Sequence, residues 1–302
     1  MVKNRFFRRK TTGDVIFDCI NVTAILLISA VMLYPFFYIV SISITPYKNV
    51  PYVKLFPLGF TLDVYKYVFA LPSVKSGYLN SLFYTTFGTA FSMFLTICTA
   101  YPLSKSWMPG RKLLVIFILI TMYFGGGLIP LFIVINNYGL YNTRAAILIT
   151  SGISTWNVMI MNSFFRTIPK ELEEASNVDG ASEVTILTRI ILPLSKPILA
   201  TVSLFYAVGQ WNSWFNSHIF LNDKDLYPIQ LVLRNLMSTA SAGLDPGDMS
   251  IATQAVGDRA ENINTTSLNY ALTVAVVAPI LFVYPFVQKY FVKGVMIGSL
   301  KG

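Results

Sequence analysis

The chain has 302 residues and a formal net charge of +9, with 54% hydrophobic and only 12% charged residues. A soluble domain carries about 25% charged residues, so an ordinary water-soluble fold is excluded and an all-α polytopic membrane protein is favoured. The positive charge needs no nucleic-acid partner, because basic loops flanking apolar spans account for it.

Residues 1–18 form a basic N-terminus with Lys3, Arg5, Arg8, Arg9 and Lys10 ahead of an apolar run. That run is too long for a signal-peptide core and lacks a small-x-small cleavage site, so it reads as an uncleaved first span. Six spans are expected within 19–288, at about 19–42, 79–102, 113–134, 145–165, 198–220 and 268–288. With the N-terminus inside, fifteen Lys and Arg fall on the inner side and eight on the outer. This bias places both termini, including the tail 289–302, in the cytoplasm.

The first outer loop, with Pro46, Pro51, Pro57 and Pro72, reads as a short, partly helical cap. In the third span Gly125, Gly126, Gly127 and Pro130 follow Tyr123 and interrupt the helical pattern. Such an interruption either lines a water-filled pathway, making Tyr123 and Gly126 pathway candidates, or lets helices pack closely.

The connection 166–197 cannot lie in a bilayer, because it carries Arg166, Lys170, Glu171, Glu173, Glu174, Asp179, Glu183 and Arg189. Pro169 suits a helix start, and the glutamates just after it favour the positive end of the helix dipole. Leu172, Ala175 and Val178 form one apolar stripe. Asp179-Gly180 ends that helix, and a second one climbs from about Ser182 to Leu192-Pro193, with Pro193 and Pro197 setting its angle. The result is an elbow shaped for a groove on a soluble partner.

The end of the fifth span, YAVGQWNSWFNSHIF, is rich in amides and aromatics. Tyr206, Gln210, Trp211, Asn212 and Trp214 could serve a sugar, whose hydroxyls need hydrogen bonds and whose C–H faces stack on rings. The same residues could instead form an outer aromatic belt with amides bonded to neighbouring helices. The outer loop 221–267 contains Asp223, Asp225, Asp245, Asp248, Asp258 and Glu261 and reads as a docking surface for an outside partner. Its DPGDMS stretch lacks the ligand spacing of a calcium loop.

The missing motifs narrow the mechanism. No GxxxxGK[ST], HExxH, CxxC or GxSxG occurs, so no catalytic or metal site is expected and the chain cannot cradle ATP by itself. The one histidine, His218, and the two cysteines, Cys19 and Cys98, add no metal set. The spans lack central carboxylates, which disfavours the alternative of an ion-coupled secondary transporter of a small polar solute.

Glu174-Ala175-Ser176, three residues, Gly180, nine residues, then Ile190-x-Leu192-Pro193 resembles the EAA loop of bacterial binding-protein-dependent ABC importers. The likeness is to carbohydrate permeases of the MalG/LplC type. FGGGLIP, NNYGLYNT, FFRTIPKELEEASNVDGAS, ILPLSKPILATVSLFYAVGQWNSWF and KYFVKGVMIGSLKG extend it over most of the chain. Ser176 departs from the second alanine of the pattern, small for small.

The resemblance implies a six-helix type I ABC importer permease fold in the bacterial cytoplasmic membrane. It implies a pore subunit without enzymatic activity, working with a second permease, two ATPase subunits that bind ATP and Mg, and an extracytoplasmic sugar-binding (lipo)protein. The substrate would be an oligosaccharide moved inward by alternating access. Glu171, Glu174, Ala175, Ser176, Asp179, Gly180, Ile190, Leu192 and Pro193 would form the coupling site, with Glu174 pairing a basic residue of the ATPase. The tail around Gly298–Gly302 resembles one that reaches toward the ATPase.

Overall fold

The computed structural model describes residues 11–53, 55–239 and 265–299, and every regular element among them is helical. These residues fall into two compact units: the first holds residues up to Val68 together with 265–274, and the second holds 69–239 together with the residues from Ala275 on.

The first unit begins with the first span, Thr12–Ser43. Thr11 caps it: its hydroxyl accepts from the Asp14 N–H at 3.3 Å, and Asp14 accepts in return from the Thr11 N–H at 2.9 Å. Such a capping box satisfies two otherwise orphan donors. Ile16, Phe17, Leu26, Val31 and Phe37 are exposed, as the surface of a lipid-facing helix must be. At its far end Ser41 donates to the Leu55 carbonyl (2.6 Å), and the Ser43 and Tyr65 hydroxyls meet at 2.7 Å. Burial raises the Tyr65 pKa. The proline-rich loop holds a two-turn 3-10 segment, Tyr47–Tyr52, and a short helix, Asp63–Ala70.

The second unit is organised around the second span, Pro72–Ser104. Its buried face runs Gly77, Ser81, Tyr84, Gly88, Ser92, Thr96 and Ala100, small or polar residues at spacings of three and four. Leu79, Leu82, Phe87 and Phe94 point outward. This inside-out pattern suits a membrane, where helices associate through close approach and hydrogen bonds rather than through exclusion of water. Asn162 of the fourth span donates to the Ala100 carbonyl at 3.1 Å. Thr96 pairs with Tyr206 of the fifth at 2.7 Å, and the Ile229 N–H donates to Ser81 at 2.8 Å.

Three helix pairs are sharply bent, two within the expected third and fourth spans and one where the elbow joins the fifth. Arg111–Tyr123 and Leu128–Asn137 meet at 112°, Arg144–Thr150 and Thr155–Phe165 at 53°, and Glu183–Leu194 and Lys196–Trp211 at 84°. The first break falls at the expected glycines: Gly127 has φ +84°, while Gly125 and Gly126 have open space around them. Gly125 and Gly126 therefore serve no close helix packing among the described residues.

The fifth span differs from the sequence expectation of one helix over 198–220. The helix ends at Trp211, and a separate helix, Phe215–Phe220, follows a turn at Asn212–Trp214. Asn and Ser compete for backbone hydrogen bonds and favour helix ends, and Asn212-Ser213 stands at the break. Asn142, at φ +61°, fixes the short helix by accepting from the Asn222 and Asp223 N–H groups at 2.9 and 2.8 Å. A helix Ile229–Thr239 follows, and the last helix runs Thr265–Ser299, beyond the expected end of the sixth span. Asp245, Asp248, Asp258, Glu261 and the final residues 300–302 lie outside the described residues.

Candidate functional site

Two places concentrate chemistry, one at each end of the helix Lys196–Trp211. The first is the elbow. Helix Lys170–Val178 starts at Pro169, with Glu171 and Glu173 in its first turn. It closes on a Schellman motif: the Gly180 N–H donates to Asn177 (3.0 Å) and the Ala181 N–H to Ser176 (3.0 Å). Gly180 has φ +76°, a left-handed conformation that glycine alone adopts without cost. Ser182 then caps the next helix by accepting from the Thr185 N–H.

That second helix, Glu183–Leu194, passes through a wide turn at Leu187–Ile191, where the Leu192 N–H reaches back to the Leu187 carbonyl. Pro193 has no N–H to continue the regular ladder, which accounts for the local widening. Ile186 and Ile191 are fully buried with Tyr101, Phe165 and Ile198, anchoring this arm to the transmembrane body. Ile190 and Leu192 of the motif are half-buried beside them.

The first arm is different. Helix Lys170–Val178 buries none of its residues. Leu172 is 42% exposed and Val178 88%, so the apolar stripe is not buried among the described residues, and Glu171, Glu174, Ala175 and Asp179 are exposed alongside it. Ser176 turns its hydroxyl to the Leu172 carbonyl at 2.7 Å and keeps the surface small and flat.

The second place is a cavity of about 650 Å³, lined where the fourth and fifth spans break. Ser151, Ser154 and Asn157 come from the fourth span, and Tyr206, Gln210, Asn212, Trp214 and Asn216 from the fifth and the turn after it. Volumes of roughly 300–1,000 Å³ are typical of ligand sites. No charged residue lines the cavity among the described residues. Tyr206 is its keystone, because its hydroxyl accepts from the Ser154 N–H at 3.0 Å while meeting Thr96. Gln210 is 3% exposed and presses on Gly88, where a Cβ would lie 2.8 Å from the amide. Its Oε1 has no hydrogen-bond partner among the described residues. At the Trp214 edge, the Arg234 guanidinium stacks 3.7 Å from the ring centroid. Gln230, one turn earlier, donates to Asn212 at 3.4 Å.

Four of the seven pathway candidates thus share one cavity: Tyr206, Gln210, Asn212 and Trp214. Trp211 does not. Its indole N–H donates to the Val276 carbonyl at 3.3 Å, and it lines a separate apolar niche with Tyr78, Leu82 and Ile280. Tyr123 is 76% exposed, and neither it nor Gly126 lines the cavity. Sequence reasoning missed Ser154 and Asn157, which the bend of the fourth span brings in. It also missed Lys105 and Tyr101, which meet Glu173 and Glu183 beneath the elbow.

The chain matches the family model described as "Binding-protein-dependent transport system inner membrane component" over residues 82–297. It is 40% identical to protein LplC of Bacillus subtilis (strain 168) over 296 residues, covering 97% of each chain. It is 37% identical over 289 residues to YtcP of the same organism, named as a polygalacturonan/rhamnogalacturonan transport system permease, covering 95% of this chain and 99% of that one. Among solved structures it resembles a chain of a bacterial ABC transporter involved in the import of the acidic polysaccharide alginate. There the TM-score is 0.85 at 30% identity, covering 94% of this chain and 100% of that one.

Proposed function

The chain belongs to the family of binding-protein-dependent transport system inner membrane components, and from that premise we propose that it is a pore-forming subunit of an ATP-driven oligosaccharide importer. One observation carries the proposal furthest. A nine-residue helix with no buried residue presents an apolar stripe and acidic side chains, and the arm after it runs directly into a cavity-lining helix. An unpartnered amphipathic helix of that kind is built to sit in a groove of another protein.

In this proposal each ATPase subunit receives one such helix in a surface cleft, from this chain and from a second, related permease. ATP and Mg belong to the ATPases. Leu172 and Val178 fill the cleft, Glu171, Glu174 and Asp179 meet its basic groups, and Ala175 and Ser176 allow close approach. ATP-driven closure of the ATPases moves both elbows, and the spans rotate as bodies to turn the cavity from one side of the membrane to the other. The elbow then lies in the cytoplasm, and an outside binding protein delivers the sugar.

The cavity chemistry supports a glycan. Amides and hydroxyls of Asn157, Gln210, Asn212 and Ser154 offer donors and acceptors, and Trp156 and Trp214 offer faces for ring C–H groups. The names of two relatives, one for polygalacturonan/rhamnogalacturonan transport and one for alginate import, suggest a polysaccharide fragment as substrate. Arg234 has no carboxylate partner among the described residues, and its planar fork suits an acidic fragment.

The test is uptake by the complex in proteoliposomes, with trigalacturonate, its carboxyl-reduced analogue and a neutral trisaccharide outside. Uptake of at least one of them that requires ATP supports the reading. Uptake driven by a proton gradient without ATP would refute it.

A further inference from the structure

Helix Lys170–Val178 has no buried residue, yet it is not free to swing. Among the described residues, one ion pair joins its side chains to another element: Glu173 with Lys105, just past the end of the second span. Lys105 is 5% exposed and Glu173 21%, so this is not a solvated surface pair. The Lys105 ammonium also lies 4.2 Å from the centre of the Tyr101 ring, one helical turn earlier. The Tyr101 hydroxyl in turn donates to Glu183 Oε2 at 2.7 Å.

Each arm of the elbow therefore places one carboxylate on this contacting pair, Glu173 on Lys105 and Glu183 on Tyr101. Glu173 comes from the first helix and Glu183 from the first turn of the second, ten positions later, on the far side of the Gly180 turn. A buried ammonium that loses its carboxylate is left as an uncompensated charge, so the pair holds or fails as a unit.

We propose that Lys105, Tyr101, Glu173 and Glu183 form a two-armed clamp that makes the second span the lever through which the elbow moves the cavity wall. This rests on the docking role proposed for the elbow. The lever is continuous. Gly88, Thr96, Tyr101 and Lys105 belong to the second span or its cap, and about 26 Å of helix separates the clamp from Gly88 at 1.5 Å per residue. At the cavity end Thr96 bonds Tyr206, and Gly88 receives the Gln210 amide. Without the clamp, a push on the helix would be taken up at its two hinges, the Thr167–Pro169 turn and Gly180. With the clamp, it is delivered to the residues that position Tyr206 and Gln210. All four are positioning residues and touch no substrate.

The test needs no sugar. In the full complex, with Cys19 and Cys98 replaced by serine, Ser213→Cys places a thiol in the cavity wall. Its rate of alkylation by a maleimide is measured with and without ATP and vanadate. The parent should show a nucleotide-dependent change. Glu173→Gln should keep ATPase association and ATP hydrolysis but shrink that change by about fivefold or more, the lower end of ordinary allosteric coupling. Tyr101→Phe, which cuts only the Glu183 arm, should shrink it less, and Lys105→Arg should preserve it.

An unaltered nucleotide response in Glu173→Gln overturns the clamp. Loss of ATPase association in that variant also overturns it, because Glu173 would then be a docking residue. A parent complex whose cavity thiol ignores nucleotide refutes the proposed function itself, a result distinct from either.

Discussion

The elbow and the cavity sit at opposite ends of one helix, Lys196–Trp211, and are built on opposite rules. The elbow's first arm leaves Leu172 and Val178 exposed with Glu171 and Glu174 outward, and among the described residues one ion pair, Glu173 with Lys105, ties it down. The cavity gathers uncharged amides, hydroxyls and rings at two helix breaks, and Tyr206 braces its wall by bonding both Ser154 and Thr96. The difference teaches where each half expects its partner. On the docking role proposed for the elbow, a surface that leaves Leu172 and Val178 exposed is completed by another protein. On the pathway role proposed for the cavity, a wall in which Tyr206 is already bonded to Ser154 and Thr96 is formed before its ligand arrives.

The comparison is broken most severely by reversing charge on the elbow. Glu174→Lys should remove ATPase from the purified complex while leaving insertion in the membrane unchanged. Truncating one member of a buried interfacial charge pair costs about 2–5 kcal/mol, and reversal should cost no less. Full co-purification of the ATPase with this variant would take Glu174 out of the docking surface.

Gly180 sharpens the same half. A Cβ there meets nothing within 4 Å, so any penalty comes from its φ of +76° alone. Gly180→Ala should cost about 1–2 kcal/mol of elbow geometry and lower ATP-driven uptake severalfold. Gly180→Asn should recover much of that loss, since asparagine tolerates the left-handed region. Equal defects in Ala and Asn variants would show that the smallness of Gly180 matters at the ATPase, not its backbone.

These predictions also mark how far the sequence could be read. The elbow was legible because its signals are local: an acidic first turn, an apolar stripe, a left-handed glycine and a proline exit within 32 consecutive residues. Lys105 was not legible as a clamp residue. It stands 68 positions before Glu173 and, taken alone, is one more basic residue at the inner end of a span. Ser154 and Asn157 reach the cavity only because the fourth span bends by 53°, and the one local sign of that bend, Ser151-Gly152 ahead of the capping Ser154, is far weaker than Gly125-Gly126-Gly127 at the first. Trp211 and Trp214 look equivalent in sequence, yet the break at Asn212 sends them to different surroundings. The Asn212-Ser213 pair is the one local sign of that break.

The two tryptophans carry the cavity half of the comparison. Trp214→Ala should weaken sugar handling by about tenfold, the upper range of what a lost stacking contact of 0.5–1.5 kcal/mol supplies. The loss should appear in the sugar concentration for half-maximal uptake, with ATPase attachment intact. Trp211→Phe should leave that concentration unchanged. It removes the N–H bonded to the Val276 carbonyl and should cost about 1 kcal/mol of stability, read as a lower melting temperature in detergent. A substrate effect at Trp211 equal to that at Trp214 would mean that the cavity is not the pathway.

The smallest expected effect belongs to Arg234, and it is the one that assigns a charge to the substrate. Its guanidinium rests on the Trp214 ring from the exposed side of helix Ile229–Thr239, so Arg234→Gln removes a cation–π contact worth about 0.5–1 kcal/mol at an exposed site. If the substrate is neutral, nothing further is lost, and uptake falls no more than about fivefold for any sugar. If it carries carboxylates, trigalacturonate should lose more than its carboxyl-reduced analogue, and Arg234→Lys should restore charge without the planar fork and recover only part of the difference. Equal losses for the acidic and reduced sugars would leave Arg234 as a brace for Trp214, and the cavity's uncharged lining would then describe its substrate as well.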